Sequence, residues 1–169
     1  MKICLVDIQS RKDLVVTKDL SGGYGTSSKF GESFFSQFLI RMKRRSVNVP
    51  TLSLGYLSAI FKNEGHEVEV LTNEKDLKTD TDLFLIYSSL IEHMSEMKFS
   101  RKIKKETSAK VGFIGTFASV MPDIFIPFSD FVIVEEPEEV VKKISKSGTI
   151  PKGLVKSSPT KDLNTLPFP

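Results

Sequence analysis

The chain has 169 residues, of which 40% are hydrophobic and 27% are charged, the balance of one soluble globular domain with a hydrophobic core. Its 24 basic and 21 acidic side chains give a formal net charge of +3, which is too small to indicate nucleic-acid binding. No apolar run reaches the roughly 18 residues of a membrane span, and the apolar N-terminus is too short for a signal peptide. The single cysteine, Cys4, excludes a disulfide framework, so we expect a cytoplasmic protein with a buried thiol.

The first half of the chain contains two predicted strands and two predicted helices. "KICLVDI" is typical of a strand buried on both faces. A long insertion at 9–49 follows, and within it "ESFFSQFLIRMKRR" predicts a helix because Phe34, Phe38 and Met42 recur at helical spacing. "PTLSLGYLSAIFKNEG" predicts the clearest helix, with a proline in its first turn and a glycine after its last. "HEVEVLT" then predicts the second strand.

The second half repeats this alternation. "DLFLIYSS", "AKVGFIGTF" and "DFVIVEE" predict strands, "IEHMSEMKFSRKIKKE" and "PEEVVKKISKSG" predict helices, and "SVMPDIFIPF" predicts a short helix or turn. Five strands alternating with helices predict an α/β, flavodoxin-like (Rossmann-like) doubly wound five-stranded parallel sheet with helices on both faces. We assign this domain to residues 1–148. Residues 149–169 contain four prolines without useful periodicity and are interpreted as a linker toward a further domain.

Ligands of open α/β sheets bind beyond the carboxyl ends of the strands, so the loops at that edge hold the candidate binding residues. These are Gln9, the triplet Ser88, Ser89 and Leu90, and the triplet Gly115, Thr116 and Phe117. Small and hydroxyl side chains let a ligand approach the backbone, but the same residue types cap helices and form turns throughout proteins. Both interpretations remain open at this point.

Motifs for catalysis or phosphate binding are weak. The glycine-rich stretch "SGGYGTSSKFG" at 21–31 fails the dinucleotide and phosphate-loop patterns on spacing. His66 and His93 are isolated, so no metal cluster is predicted. Asp7 at a strand end resembles the phosphorylation site of receiver domains, but the acidic pair and the lysine of receivers are missing. The basic clusters at 41–45 and 101–105 are typical of solvated helix faces or of a surface that docks a partner or anion.

Four pieces of sequence together resemble the N-terminal cobalamin-binding domain of cobalamin-dependent radical S-adenosylmethionine (radical SAM) enzymes. "VPTLSLGYLSAIFKNEGHEVEVL" is similar to the helix-and-strand signature of that family, with Leu-Gly-Tyr-Leu-Ala followed by Gly-His-x-Val. "VGFIGTFASVMP" is similar to its fourth strand and turn. "DFVIVEEPEEVV" resembles its Asp-x-Val-x-x-Gly-Glu-x-Glu segment, with Glu135 where glycine is usual, and "DLNTLPFP" resembles its linker to the radical domain. The resemblance covers nearly the whole chain.

The resemblance implies a base-off cobalamin held flat over the strand ends, with its nucleotide tail in a slot beside the serines and Gly115. The loop from residue 9 to 54 would cover the lower cobalt face, with Tyr24 or Phe30 as apolar cover. Gln9 stands where related domains of the methionine-synthase type have a histidine, and a carboxamide is a poor cobalt ligand. The implied cofactor-binding residues are Gln9, Tyr24, Thr51, Leu52, Ser88, Ser89, Leu90, Gly115, Thr116, Phe117 and Glu135.

The resemblance also implies a division of labour between two domains. The Cys-x-x-x-Cys-x-x-Cys motif is absent, so S-adenosylmethionine and the 4Fe-4S cluster would belong to a radical SAM domain on the same or a separate chain. This chain alone is then not catalytic but part of an enzyme of methyl transfer or related radical chemistry, such as a methyltransferase or a rearranging or cyclising enzyme. The alternatives are a degenerate scaffold that binds no cofactor and docks a radical SAM domain or its substrate, and a receiver-like regulatory domain.

Overall fold

A computed structural model describes residues 1–10, 14–15, 18–19, 26–27, 31–47 and 51–169. The strands, in chain order, are β1 (Lys2–Val6), β2 (Leu14–Val15), β3 (Thr26–Ser27), β4 (Glu67–Leu71), β5 (Leu83–Tyr87), β6 (Lys110–Ile114), β7 (Phe131–Val134) and β8 (Gly153–Lys156). The helices are α1 (Phe34–Val47), α2 (Leu52–Asn63), α3 (His93–Glu106), α4 (Thr116–Val120) and α5 (Glu138–Ser147). Each predicted strand and helix of residues 1–148 has a counterpart in these elements.

The main sheet is entirely parallel, in the order β4-β1-β5-β6-β7-β8. Helices α2 and α5 cover one face, where Leu57 and Val141 pack in one buried cluster, and α3 and α4 cover the other, where Phe99 and Ala118 pack in a second. This is the predicted flavodoxin-like architecture. Because β1 lies between β4 and β5, the strand order reverses at β1, and the topological switch point lies between the carboxyl ends of β1 and β5.

The core explains two features of the sequence. All five residues of β5 are buried, as expected for a central parallel strand that reads as a continuous apolar run. Gly112 in β6 lies under the ring of Phe131, and a Cβ atom at this position would come within 2.3 Å of that ring. Glycine is therefore required there by packing rather than by backbone conformation.

The prediction of five strands is wrong by one, because β8 adds a sixth strand beside β7 in parallel register. Only Leu154 and Val155 of this four-residue strand are hydrophobic, too few to produce a periodic signal. The chain beyond β8 is also held on the domain: Ser157 N–H donates to the Val134 carbonyl at 3.1 Å, and Leu166 packs against the core. That residues 149–169 lead to a further domain stays a prediction.

The amphipathic helix predicted in the insertion is α1, but its phenylalanine stripe faces outward. Phe34, Phe38 and Met42 are 93%, 54% and 56% exposed, whereas Ile40 is buried. Except for Met42, the side chains of the basic cluster at 41–45 lie outside the described part of the chain. Among the described residues, no helix combines the length and the apolar character needed to cross a membrane.

Candidate functional site

The loops after β5 and β6 meet at the carboxyl edge of the sheet, as predicted. Ser88 N–H donates to the Ile114 carbonyl at 2.8 Å. Gly115 has a φ of +101° and lies so close to Ser88 that a Cβ atom would stand 3.0 Å from the Ser88 carbonyl oxygen. Both the backbone conformation and the close approach favour glycine. The sequence therefore located this junction correctly.

The serines of the junction are nevertheless part of the packed interior. Ser88 and Ser89 are both 0% exposed. The Ser89 N–H lies 3.3 Å from each carboxylate oxygen of Glu96, and the Ser89 hydroxyl accepts from the Glu92 N–H at 3.2 Å at the start of α3. The capping interpretation of these hydroxyl residues thus accounts for Ser89. The buried Ser88 and Ser89 therefore present no accessible surface to the nucleotide tail that the resemblance implies at this place.

A buried ion cluster occupies the switch point between β1 and β5. The Lys18 ammonium lies 2.7 Å from the Tyr87 carbonyl, 2.9 Å from the Glu96 carboxylate and 3.1 Å from the Asp7 carboxylate. Lys18 and Glu96 are 0% exposed, and Asp7 is 7% exposed. The other Asp7 oxygen accepts from the Thr51 hydroxyl at 2.5 Å. Lys18 therefore ties the insertion to the ends of two central strands and to α3.

Burial and pairing act in opposite directions on these charges. Burial disfavours the ammonium of Lys18, but the carboxylates of Glu96 and Asp7 outweigh it, so the pKa of Lys18 is raised. Burial likewise raises the pKa of Glu96, although the charge of Lys18 opposes this shift. Removing the lysine would leave buried carboxylates without their cation, which is a costly arrangement.

The next residue, Asp19, fixes the insertion to α2. Its carboxylate accepts from the Ser53 N–H at 3.1 Å and from the Ser53 hydroxyl at 2.6 Å, and the Tyr87 hydroxyl donates to it at 3.0 Å. Asp19 thus caps the first turn of α2 from a distant part of the chain. Burial raises the pKa of Tyr87, which keeps its hydroxyl protonated as the donor. The Lys18–Asp19 pair was missed at the sequence level because no periodicity marks it within the insertion.

An open cleft of about 1370 Å³ lies beside the switch point, between the carboxyl ends of β1 and β4 and one face of α2. Gln9 and Thr51, two of the predicted residues, line it. The α2 wall includes Gly55, Ser58 and Ala59, which share one helix face by their spacing, and this helix also contributes Leu54, Lys62 and Asn63 to the lining. Small residues on this face keep the cleft wide. They belong to the Leu-Gly-Tyr-Leu-Ala-like signature of the sequence.

The lining of the cleft is mostly apolar, with hydroxyl, amide and charged side chains interspersed. Among the described residues, its charged side chains are two acids, Asp7 and Glu74, and two lysines, Lys62 and Lys75. Asp7 is in turn paired with Lys18. The described charges therefore give no preference for a polyphosphate, whereas the hydroxyl and amide groups among these residues suit a ligand with neutral carboxamides.

The other predicted residues near the edge lie in the neighbouring helix starts. Leu52, 58% exposed, begins α2. The carbonyl of Leu90 accepts from Nδ1–H of His93 at 2.7 Å, and Phe117 packs against the His93 ring at 5.1 Å between centroids. Thr116 is exposed in the first turn of α4. Tyr24 and Phe30 lie outside the described residues, so the predicted apolar cover stays a prediction.

Glu135, at the end of β7, takes a left-handed backbone with φ of +70°. This is the position where the resembling family usually has glycine, and glycine adopts that conformation without the cost that a Cβ atom brings. The Glu135 N–H donates to the Ser119 hydroxyl at 3.0 Å, and its carboxylate lies 3.3 Å from the Lys156 ammonium. The turn thus has a backbone conformation that glycine favours, although the residue here is glutamate.

Two other chemistries find little support in the described part of the chain. Within it, no group of three or more histidine, cysteine, aspartate or glutamate side chains is placed to hold a metal ion. Asp7, the residue at the receiver-like position, is buried and engaged by Lys18 and Thr51 rather than presented at the surface. A receiver-type phosphorylation of this carboxylate would need the cluster to open.

The sheet order and the cleft define a flavodoxin-like α/β domain with a ligand-sized opening at the carboxyl edge. In comparisons with models of protein families, with curated proteins and with solved structures, no match to the chain was found.

Proposed function

We propose that the chain is a cobalamin-binding module of a radical SAM enzyme and that it holds the corrin ring in the cleft beside β1 and α2. The cleft carries this proposal. It lies at the carboxyl edge where ligands of such sheets bind, and its volume of about 1370 Å³ exceeds that of ordinary small-ligand pockets, which is about 300–1,000 Å³. A large ligand is therefore favoured.

The chemistry of the wall supports a corrinoid in particular. A corrin ring is broad and carries neutral carboxamides at its rim. Gln9 and Ser58 carry amide and hydroxyl groups of the kind that bond to carboxamides, while Gly55 and Ala59 leave room for a broad ring. The proposed position differs from the one implied by the resemblance, since Ser88 and Ser89 are buried and do not face an opening.

The role of the chain in this proposal is to bind and orient. Bound cobalamin supplies a cobalt centre that can carry a methyl group, and the radical chemistry belongs to a radical SAM domain with its S-adenosylmethionine and 4Fe-4S cluster. Gln9 is one of the residues after β1 that line the cleft. Its carboxamide orients the rim of the ring rather than ligating cobalt.

A second candidate is a scaffold that binds no cofactor and docks a radical SAM domain or its substrate. The observation that favours it is the ion cluster of Lys18, Asp7 and Glu96, which occupies the switch point itself. The exposed phenylalanines of α1 would be available for such docking.

The two candidates are separated by mixing the chain with hydroxocobalamin, desalting it and recording the visible spectrum. We expect the protein fraction to retain a base-off corrinoid. Ser58→Trp places a large side chain on the cleft wall where the ring would lie and should abolish retention, whereas Ser147→Trp, at an exposed position that ends α5, should not. A wild-type fraction without corrinoid bands overturns the cobalamin proposal in favour of the scaffold. Equal retention by Ser58→Trp overturns the location in the cleft.

A further inference from the structure

The segment after β8 forms a further wall of the cleft. It crosses the start of α5, where the Thr160 hydroxyl lies 3.1 Å from the Glu139 carboxylate, and continues past the Thr165 hydroxyl, 3.3 Å from the Lys142 ammonium. Leu166 then packs against the core cluster of α2 and α5. Residues 167–169 reach the cleft and line it opposite β1 and β4. The segment is thus fixed to the domain before it arrives at the cleft.

Pro169, at the end of this segment, packs against Gly55 of α2. A Cβ atom at Gly55 would stand 3.0 Å from Cβ of Pro169, closer than nearly all real contacts of this kind. The glycine of the Leu-Gly-Tyr-Leu-Ala-like signature therefore serves a close approach between α2 and the Pro-Phe-Pro sequence. Prolines on both sides restrict the backbone around Phe168, since a proline fixes its own φ and limits the residue before it.

Phe168 is 93% exposed although it lines the cleft. An exposed phenylalanine is common on protein surfaces, but this one is held at the mouth of a ligand-sized opening by a restrained backbone. An aromatic side chain gains most when a flat or apolar partner covers it. A corrin ring in the cleft presents such a surface.

We propose that Phe168 is a ligand-contacting residue, which packs against the corrinoid in the cleft and becomes buried when the ligand binds. This inference rests on the proposed cobalamin binding and adds to it a contact from a segment whose sequence indicated only a linker. Because Pro169 already packs against Gly55, Phe168 is held beside the cleft before the ligand binds. Binding then requires little further ordering of the chain.

The affinity test compares Phe168→Ala, Phe168→Tyr and Leu163→Ala in the full chain by titration with methylcobalamin in the dark. Phe168→Ala should weaken binding about five- to tenfold, and Phe168→Tyr should keep nearly wild-type affinity because the ring remains. Leu163, 70% exposed on the same segment but outside the lining of the cleft, is the matched control and should leave the affinity unchanged. Both positions are exposed enough that thermal stability should stay constant in all three variants.

A second readout reports burial rather than affinity. In Phe168→Cys, maleimide labelling should slow about tenfold when methylcobalamin is added at ten times its dissociation constant, because about nine-tenths of the chains are then occupied. Leu163→Cys should label at its original rate. Cys4 does not interfere, because its thiol is buried and burial raises its pKa to about 12.

The outcomes separate this contact from the proposal on which it rests. Wild-type chain that binds no methylcobalamin overturns the cobalamin proposal and the contact together. Wild-type chain that binds, with Phe168→Ala binding equally well and Phe168→Cys labelled at an unchanged rate, overturns the contact alone.

Discussion

Replacing Lys18 by methionine should cause a large loss of stability. Methionine keeps the length of the side chain but removes the charge, so the Asp7 and Glu96 carboxylates and the Tyr87 carbonyl lose their shared donor. Breaking a buried ion pair from one side costs about 3–5 kcal/mol, a substantial part of the 5–15 kcal/mol that is typical of total stability. In a chain of this size that corresponds to a fall in Tm of roughly 6–20 °C.

Urea denaturation at several pH values is the assay. The pKa of Glu96 is already raised by burial, and without Lys18 it should rise further. A carboxyl group whose folded pKa lies above its unfolded value takes up protons preferentially in the folded state. The deficit of Lys18→Met should therefore be smallest near the unfolded pKa of 4.5 and should grow as the pH rises toward the raised folded pKa.

The control is Lys161→Met, which makes the same change at an exposed position and should alter stability by less than about 0.5 kcal/mol. Combining Lys18→Met with Glu96→Gln should recover part of the loss, because one buried charge is removed with its partner. A loss below about 1 kcal/mol, or a loss that does not change with pH, would refute the buried cluster.

Three further predictions concern positions away from the cluster. Glu135→Gly should stabilise the chain by about 0.5–1 kcal/mol in thermal unfolding, since relief of the left-handed backbone outweighs the greater entropy of the unfolded chain. Glu135→Ala should not stabilise it, and destabilisation by glycine would contradict the strain. Gly112→Ala should cost about 2–3 kcal/mol in the same assay because the new methyl group meets the Phe131 ring, and a neutral result would contradict the packing. Cys4 should react with a thiol reagent only after unfolding, because burial raises its pKa to about 12; rapid reaction in the folded chain would show an accessible thiol.

The sheet was predictable because its central strands are long apolar runs. β5 is buried at every residue, and such a run between turn residues indicates a strand of a parallel sheet. The last helix was equally clear: the sequence placed glutamates early, lysines late and Gly148 after the end, and Gly148 indeed caps α5 with φ of +68°. Local chemistry determines these features, so a single sequence is enough to find them.

Features that depend on distant partners were not predictable. Lys18 is one of many lysines, and what distinguishes it is two acids, Asp7 and Glu96, that lie 11 and 78 positions away in the sequence. The burial of Ser88 and Ser89 follows from the same cluster and from α3, so hydroxyl residues at the correct edge proved to be packed rather than open. The short strand β8 is stabilised by pairing with β7, not by a pattern of its own.

The sequence predicted only part of the lining of the cleft. Gln9 and Thr51 were expected at the ligand edge from the order of strands and from the resemblance, and both line the opening. The small residues of α2 were recognised as part of a family-like motif, but they were not predicted to form a wall of the cleft. Spacing alone does not show which helix face meets the core. Phe168 was not predicted as a residue of the cleft, because it lies in a proline-containing stretch without a periodic pattern.

The central claim is most directly tested by comparing the affinities of the wild-type chain for cobalamin and for cobinamide, which has the corrin ring without the nucleotide tail. If the ring lies in the cleft while Ser88 and Ser89 are buried and do not face an opening, both ligands should bind with dissociation constants within about threefold of each other. Loss of binding for cobinamide by about 30-fold or more would show that the tail enters the domain, and failure of both ligands to bind would contradict cobalamin binding altogether.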